Sequence, residues 1–344
     1  MAFERNILIV AILITLGTLA SQATSRTLYE ASIAAKHEQW MEKFGRVYQD
    51  SAEKERRFHI FKNNVEFVEK FNSEGKKTYE LGVNRFSDMT YEEFLSHHTG
   101  YKKPTESTSS ADASFTYKNL SLTDVPPSMD WREQGAVTPV KDQGRCGCCW
   151  AFSAVAAVEG ITEIKTGKLI SLSEQQLVSC DTSNSGCNGG NMVKAFAYIQ
   201  RNGGIASEAN YPYQSSDGRS GTCDKNRANE AAAKITNYAR VPRNSEADIN
   251  KAVSMQPISV AIVASQAFQA YKGGLFTDDN CGTNLNHAVT IIGYGTTEDD
   301  TPYWLIKNSW GTSWGENGYM KILRYADAPE GVCGLAMDAS YPIM

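Results

Sequence analysis

Hydrophobic positions are arranged along this chain in three textures. Over residues 28–72, Phe58, Phe61, Val65 and Val68 recur at intervals of three and four within a charged background, which predicts helix with a solvated polar face. From Lys103 to Ser114 the periodicity is lost in KPTESTSSADAS, the composition of an exposed linker, so a boundary is expected near 100–125. Beyond Val125 the texture changes again. Cys149 to Lys165 places Trp150, Ala154, Val158, Ile161 and Ile164 on one helical face, with Gly167 as the stop. Ser173 with Gln176 predicts a capping box at the start of a second helix. After Pro257 the runs ISVAIV, HAVTIIGYG, YWLIKNSWG and GYMKILRY, punctuated by glycines, read as strands. The expected class is α+β: a helical unit followed by an antiparallel β unit, joined into a two-lobed body with a cleft between them.

Composition narrows the function classes. The chain has 344 residues, 41% of them hydrophobic, and a formal net charge of −5, enough for real cores and with no basic footprint. No aromatic-interleaved Lys/Arg stripe is present, so nucleic acid is not an expected partner. Ile7 to Leu16 is a short apolar run preceded by Arg5, and polarity returns by Ser21. That pattern predicts a cleaved signal peptide over 1–23 rather than a membrane anchor, and no stable membrane association. Secretory routing makes disulfides plausible among the eight cysteines.

The concentrated chemistry is in residues 145–152, RCGCCWAF. Cys146 and Cys149 form a Cys-x-x-Cys that zinc or dithiol chemistry could use, and all the thiols could instead be staples. Zinc would want a second pair of similar spacing, whereas Cys180 and Cys187 are further apart and no His cluster accompanies them. A thioredoxin-like site would want a preceding βαβ context, but WREQGAVTPVKDQG is turn-rich. A nucleophile explains more, because Cys149 opens a helix, where free N–H groups and the macrodipole favour a thiolate. His37, His59, His97 and His98 all precede the expected boundary and only His287 follows it, so a His base in the second half is His287.

With these residues in place, the chain resembles the papain-like cysteine peptidases over nearly its whole length. Cys146-Gly147-Cys148-Cys149-Trp150 matches Cys-Gly-[Ser/Ala]-Cys-[Trp/Tyr] except at the third position. His287 falls within the family's downstream spacing of roughly 130–150 residues and Asn308 slightly beyond it. Gln143-Gly144, Gly186-Cys187-Asn188-Gly189-Gly190, Asn308-Ser309-Trp310-Gly311 and Trp314-Gly315 match too. In the first half, Glu53, Arg57, Ile60, Phe61, Asn64, Val68 and Asn72 fall on the spaced helix motif of the family's propeptide, and Gly82, Asn84, Phe86 and Asp88 on its second motif.

The resemblance implies a signal peptide (1–23), an inhibitory and mainly helical propeptide (24–124) and a mature domain (125–344) with a helical left lobe and an antiparallel β-barrel right lobe. Cys149 would attack the scissile carbonyl, His287 would act as acid and base, Asn308 would orient the imidazole, and Trp310 would shield that bond at the substrate cleft. Gln143 would donate to the developing oxyanion. The implied disulfides are Cys146–Cys187, Cys180–Cys223 and Cys281–Cys333, which leave Cys148 and Cys149. A Cys pair before Trp is similar to the senescence-associated vacuolar proteases of plants. Oxidation is expected to trap the pair as a vicinal disulfide or to favour mispairing.

Gly189 and Gly190 would pair with an extended substrate backbone, beside a pocket of Met192, Ala261, Leu285 and Ala288 with Asp338 at its floor. The walls predict apolar or aromatic side chains. Asp338 either extends the preference to Arg or turns to solvent. An endopeptidase is expected, with no metal or organic cofactor, monomeric when mature, acting on proteins and peptides, and inhibited by its own propeptide and by cystatin-like proteins. Activation is expected in an acidic vacuole or lysosome, or outside the cell, with one of the four early histidines sensing pH. Asn119-Leu120-Ser121 is the glycosylation sequon. A catalytically silent relative serving binding or storage is the alternative class.

Overall fold

A computed structural model describes residues 26, 28–103, 114–278 and 280–344. The expected signal peptide and most of the expected linker lie outside the described residues. By packing, the described residues form two compact units, one of those up to 67 together with 87–89, the other of those in 68–86 and 90–344.

In the first unit, helix α1 covers 28–44 and helix α2 begins at Ser51, running on to Ser73. The single helix expected over 28–72 is therefore two. Gly45, at φ +60°, takes the left-handed conformation that ends a helix, and the Arg46 N–H closes back onto the Met41 carbonyl at 2.8 Å. Ile33, Trp40, Phe61 and Val65 form the core, with Phe58 packed against it. His37 is buried in this cluster, against Trp40, Tyr48 and Phe61. The motif side chains tie down 87–89: Asn64 Nδ2 donates to the carbonyls of Ser87 and Met89 at 2.8 and 2.9 Å, and Arg57 Nη1 to that of Asp88 at 2.8 Å.

The second unit opens with strand β1 (Tyr79–Leu81) and helix α3 (Tyr91–His98). Thr90 and Glu93 form a complete capping box at the start of α3. Asn72 holds Leu81 through both its amide groups, at 2.9 and 3.1 Å. The segment then reaches β2 (Met129–Asp130), α4 (Cys149–Thr166), α5 (Glu174–Cys180), α6 (Met192–Arg201) and α7 (Lys225–Ala228). It ends in β3 (Asn237–Arg240), α8 (Glu246–Met255), β4 (Ile258–Ile262), α9 (Gln266–Gln269), β5 (Tyr271–Phe276), β6 (His287–Thr296), β7 (Pro302–Lys307), β8 (Tyr319–Leu323) and β9 (Ala339–Ile343).

Helix α4 stops at Gly167, which adopts φ +69°. It is buried over nearly its whole circumference rather than along one face, because it packs on β4, β6 and β9 and also on α5 and α6. At α5 only half of the expected capping box forms. Ser173 accepts from the Gln176 N–H at 3.0 Å, while the Gln176 side chain turns to the Ala228 carbonyl and the Ala206 N–H.

The strands form one sheet in the order β1-β5-β8-β7-β6-β4-β9-β3, with β2 beside β6. The fold is α+β as expected, but the expected antiparallel barrel is corrected in two respects. β5 and β8 are parallel, and the sheet is open, with β1, from the expected propeptide, at one end beside β5 and β3 at the other. Disulfides join Cys146 to Cys187, Cys180 to Cys223 and Cys281 to Cys333. Among the described residues no helix is long and apolar enough to cross a membrane.

Candidate active site

Cys149 is the first residue of α4, His287 the first of β6, and Asn308 follows the last residue of β7, so three element ends deliver the three side chains. The loop before α4 admits no side chain at Gly147, where a Cβ would stand 2.6 Å from the Cys187 carbonyl oxygen. The Cys146–Cys187 bridge and the Gly147 N–H to that same carbonyl, 2.9 Å, fix the approach.

His287 Nε2 and Asn308 Oδ1 are 2.9 Å apart, and the Trp310 ring stacks on the imidazole with centroids 4.4 Å apart. His287 Nδ1 is buried without a hydrogen-bond partner, leaving that nitrogen for a proton from elsewhere in the site. Both groups of the pair are fully buried. Burial pushes the Cys149 thiol up to about 12, opposed by N–H groups of Ala288, Trp150 and Gly100, and pushes His287 down to about 4, opposed by Asn308. In this covered state thiol and imidazole are both neutral.

Gln143 is held from both sides. Its Oε1 accepts from Ser309 Oγ at 2.6 Å, its backbone N–H donates to the Ser309 carbonyl at 2.9 Å, and Tyr213 donates to its carbonyl at 2.7 Å. Its Nε2 donates to the carbonyls of Cys146 and His98, at 2.8 and 3.1 Å. Trp310 Nε1 donates to the same His98 carbonyl at 3.1 Å.

That carbonyl begins the cover of the site. The N–H groups of Gly100 and Tyr101 both donate to the Asn286 carbonyl, at 3.0 and 2.9 Å. Lys102 donates to the Gly190 carbonyl at 2.7 Å and Gly190 donates to that of Gly100 at 2.8 Å, a parallel bridge. Gly190 alone of the glycine pair meets this strand through its backbone. Gly189 donates to Gly186 and accepts from Ser185, and contributes by lacking a Cβ, which would stand 2.5 Å from the Gly100 oxygen.

Tyr101 is buried in one cluster with Met192, Ala261 and Ala288, and Leu285 packs against it. Its hydroxyl donates to Asp338 Oδ2. Asp338 is turned inward, its side chain 11% exposed, with Oδ1 3.0 Å from Arg240 Nη1. The neighbouring thiol of Cys148 lies 3.2 Å from the Tyr213 hydroxyl and burial holds it well above the usual thiol range. Asn119 is exposed, between Tyr117, which stacks on Tyr341, and Ser121. Asn286, beside His287, and Gly100, Tyr101, Tyr213 and Arg240, which carry no local signal, were not singled out by sequence, and Ser309 stood inside a matched motif without a role of its own.

Residues 125–343 match the family described as papain family cysteine protease, and residues 37–94 match the cathepsin propeptide inhibitor domain (I29). The senescence-specific cysteine protease SAG39 of Oryza sativa subsp. indica is 51% identical over 316 residues, 91% of each chain. The senescence-specific cysteine protease SAG12 of Arabidopsis thaliana is 51% identical over 318 residues, again 91% of each. Among solved structures, a recombinant stem bromelain precursor superposes with a TM-score of 0.83 at 48% identity, covering 91% of this chain and 99% of that one. Digestive procathepsin L 3 of Tenebrio molitor larval midgut gives 0.80 at 37% identity, with the same coverages.

Proposed function

Because this chain belongs to the papain family of cysteine proteases and carries the family's inhibitor propeptide as a zymogen, we propose that Cys149, His287, Asn308 and Gln143 form its catalytic apparatus. The observation that carries this reading is the buried His287–Asn308 bond of 2.9 Å, whose imidazole keeps Nδ1 unpartnered while Gln143 Nε2 already holds a peptide carbonyl.

When the cover leaves, water re-enters and the burial that disfavours both charges is relieved. The proton of Cys149 then passes to His287 Nδ1, and Asn308 and the Trp310 ring hold the imidazolium in place. The thiolate attacks the scissile carbonyl to give a tetrahedral oxyanion, which accepts from Gln143 Nε2 and the Cys149 N–H. His287 protonates the leaving amine, and water, deprotonated by the same ring, hydrolyses the thioester.

The enzyme is an endopeptidase. Its mature part begins near Val125, after loss of a signal peptide over 1–23 and a propeptide over 24–124. Gly190 pairs with substrate backbone, and the pocket of Met192, Ala261, Leu285 and Ala288 takes an apolar or aromatic second residue before the cut. Acidification promotes processing in a vacuole or lysosome, or outside the cell. Asn119 carries a glycan, the mature enzyme is monomeric, and its partners are protein substrates and cystatin-like inhibitors.

The test is labelling of the purified precursor by an epoxide thiol inhibitor, at neutral pH and after incubation at about pH 5, with mass mapping of the modified residue. Modification of Cys149 only after acid processing is expected. A folded, processed protein that takes no label at Cys149 would reject this apparatus and favour a silent binding protein.

A further inference from the structure

We propose that Arg240 determines specificity by claiming Asp338, so that the pocket prefers a tyrosine side chain and excludes arginine at the second position before the cut. This rests on the peptidase reading above and narrows it.

The floor of the pocket is fixed by backbone. The Ala261 N–H donates to the Asp338 carbonyl at 2.9 Å, which ties the floor to a wall residue. Arg240 ends β3 and pairs in register with Ser340 on β9, two residues beyond Asp338, so the sheet itself brings the guanidinium to the carboxylate. The two oxygens are then divided. Oδ1 faces Arg240 Nη1 at 3.0 Å, while Oδ2 accepts from the Tyr101 hydroxyl and stands 3.4 Å from Asn191 Nδ2.

A substrate guanidinium binds a carboxylate best as a fork across both oxygens. Here one oxygen is already committed to a guanidinium, and a second would enter against a like charge, with Arg243 adding to the positive field on the phenol. A phenol needs only one acceptor. Tyr101 fills the apolar walls with its ring and places its hydroxyl on the oxygen that Arg240 does not hold, and burial together with Asp338 keeps that phenol protonated as a donor. Covering its own cleft, the chain therefore displays the side chain its pocket fits. Phenylalanine fills the same walls but leaves that carboxylate oxygen with only the long Asn191 contact as a donor, a loss worth about tenfold.

The experiment uses acid-processed enzyme and three fluorogenic dipeptides, Tyr-Arg, Phe-Arg and Arg-Arg, with epoxide labelling of Cys149 as the measure of competent sites. The expected order of kcat/KM is Tyr-Arg about tenfold above Phe-Arg, and Arg-Arg at least a hundredfold below Phe-Arg. Arg240→Gln should raise the ratio of Arg-Arg to Phe-Arg at least tenfold, Arg240→Lys should restore the exclusion, and Asp338→Ala should bring the Tyr-Arg and Phe-Arg rates together. Labelled wild-type enzyme that cleaves Arg-Arg as well as Phe-Arg, or an Arg240→Gln ratio that does not move, overturns the proposal while leaving the peptidase intact. Absence of both label and turnover defeats the peptidase reading instead. If Arg240→Gln fails to mature, the wild-type order of the three substrates decides.

Discussion

Two stretches ahead of the peptidase domain meet their hydrogen-bonding needs in opposite ways. In the first compact unit, side chains bond to backbone: Asn64 spans two carbonyls of 87–89 and Arg57 takes the third. Over 98–102, backbone bonds to the site: His98, Gly100, Tyr101 and Lys102 engage Gln143, Trp310, Asn286 and Gly190 mainly through peptide groups. Side-chain bonding makes the first stretch depend on residue identity. Backbone bonding gives the second the chemistry of any peptide, so what distinguishes it from a substrate is how closely and in which direction it lies.

The largest effect should come from spoiling that closeness. A Cβ at Gly100 would stand 2.0 Å from the Gly147 carbonyl oxygen, a contact with backbone on both sides that no rotamer relieves. Gly100→Ala should cost the cover about 3 kcal/mol, roughly a hundredfold. The precursor should then label at Cys149 at neutral pH about a hundred times faster than wild type. An unchanged labelling rate would mean that 98–102 does not control access.

A smaller effect resides in one side chain of the covering segment. His98 is buried against Phe86 and Phe94, and burial, with Arg85 next, pushes it down to about 3. His97 and Arg145 act in the same direction and the Gly144 backbone opposes them. The docked residue is thus neutral where a released histidine, near 6.5, would accept a proton. Its contribution is intact above about pH 6.5 and is lost progressively as pH falls toward 3, with about 2 kcal/mol gone between pH 7 and 5. The acid-driven rise in labelling should therefore flatten by roughly 30-fold in His98→Gln. A wild-type pH midpoint in that variant would assign acid sensing elsewhere.

How much of this was legible in the sequence depended on how local the determinant is. β4, β6, β7 and β8 could be read because each is an apolar run closed by Gly or Pro. β1 could not, since three residues with a buried–exposed–buried pattern become a strand only when β5 offers its edge. The break at Gly45 did have a signal, the glycine itself, hidden by hydrophobic spacing that continues in the next helix. Cys149, His287 and Asn308 stood out as motif residues. Arg240 reads as an ordinary solvated strand end, and only the β3–β9 register makes it a neighbour of Asp338.

A last test addresses the side-chain half of the comparison, at Asn64. Its amide nitrogen donates to the Ser87 and Met89 carbonyls at 2.8 and 2.9 Å, and the residue is only half-buried, so water can replace part of what is lost. Asn64→Ala should therefore destabilise the precursor by about 1 kcal/mol. Asn64→Asp keeps the shape but puts a carboxylate, with no donor above its pKa, against two carbonyl oxygens, and should cost about 2 to 3 kcal/mol at neutral pH. Part of that loss should return at acid pH, because the introduced carboxyl group regains one donor once it is protonated. Calorimetric unfolding of both variants in a Cys149→Ala background, which prevents processing, measures the order. If the Asp variant proves no worse than the Ala variant, the bonds to 87–89 are not what holds this unit together, and the division between side-chain scaffold and backbone cover fails at its first half.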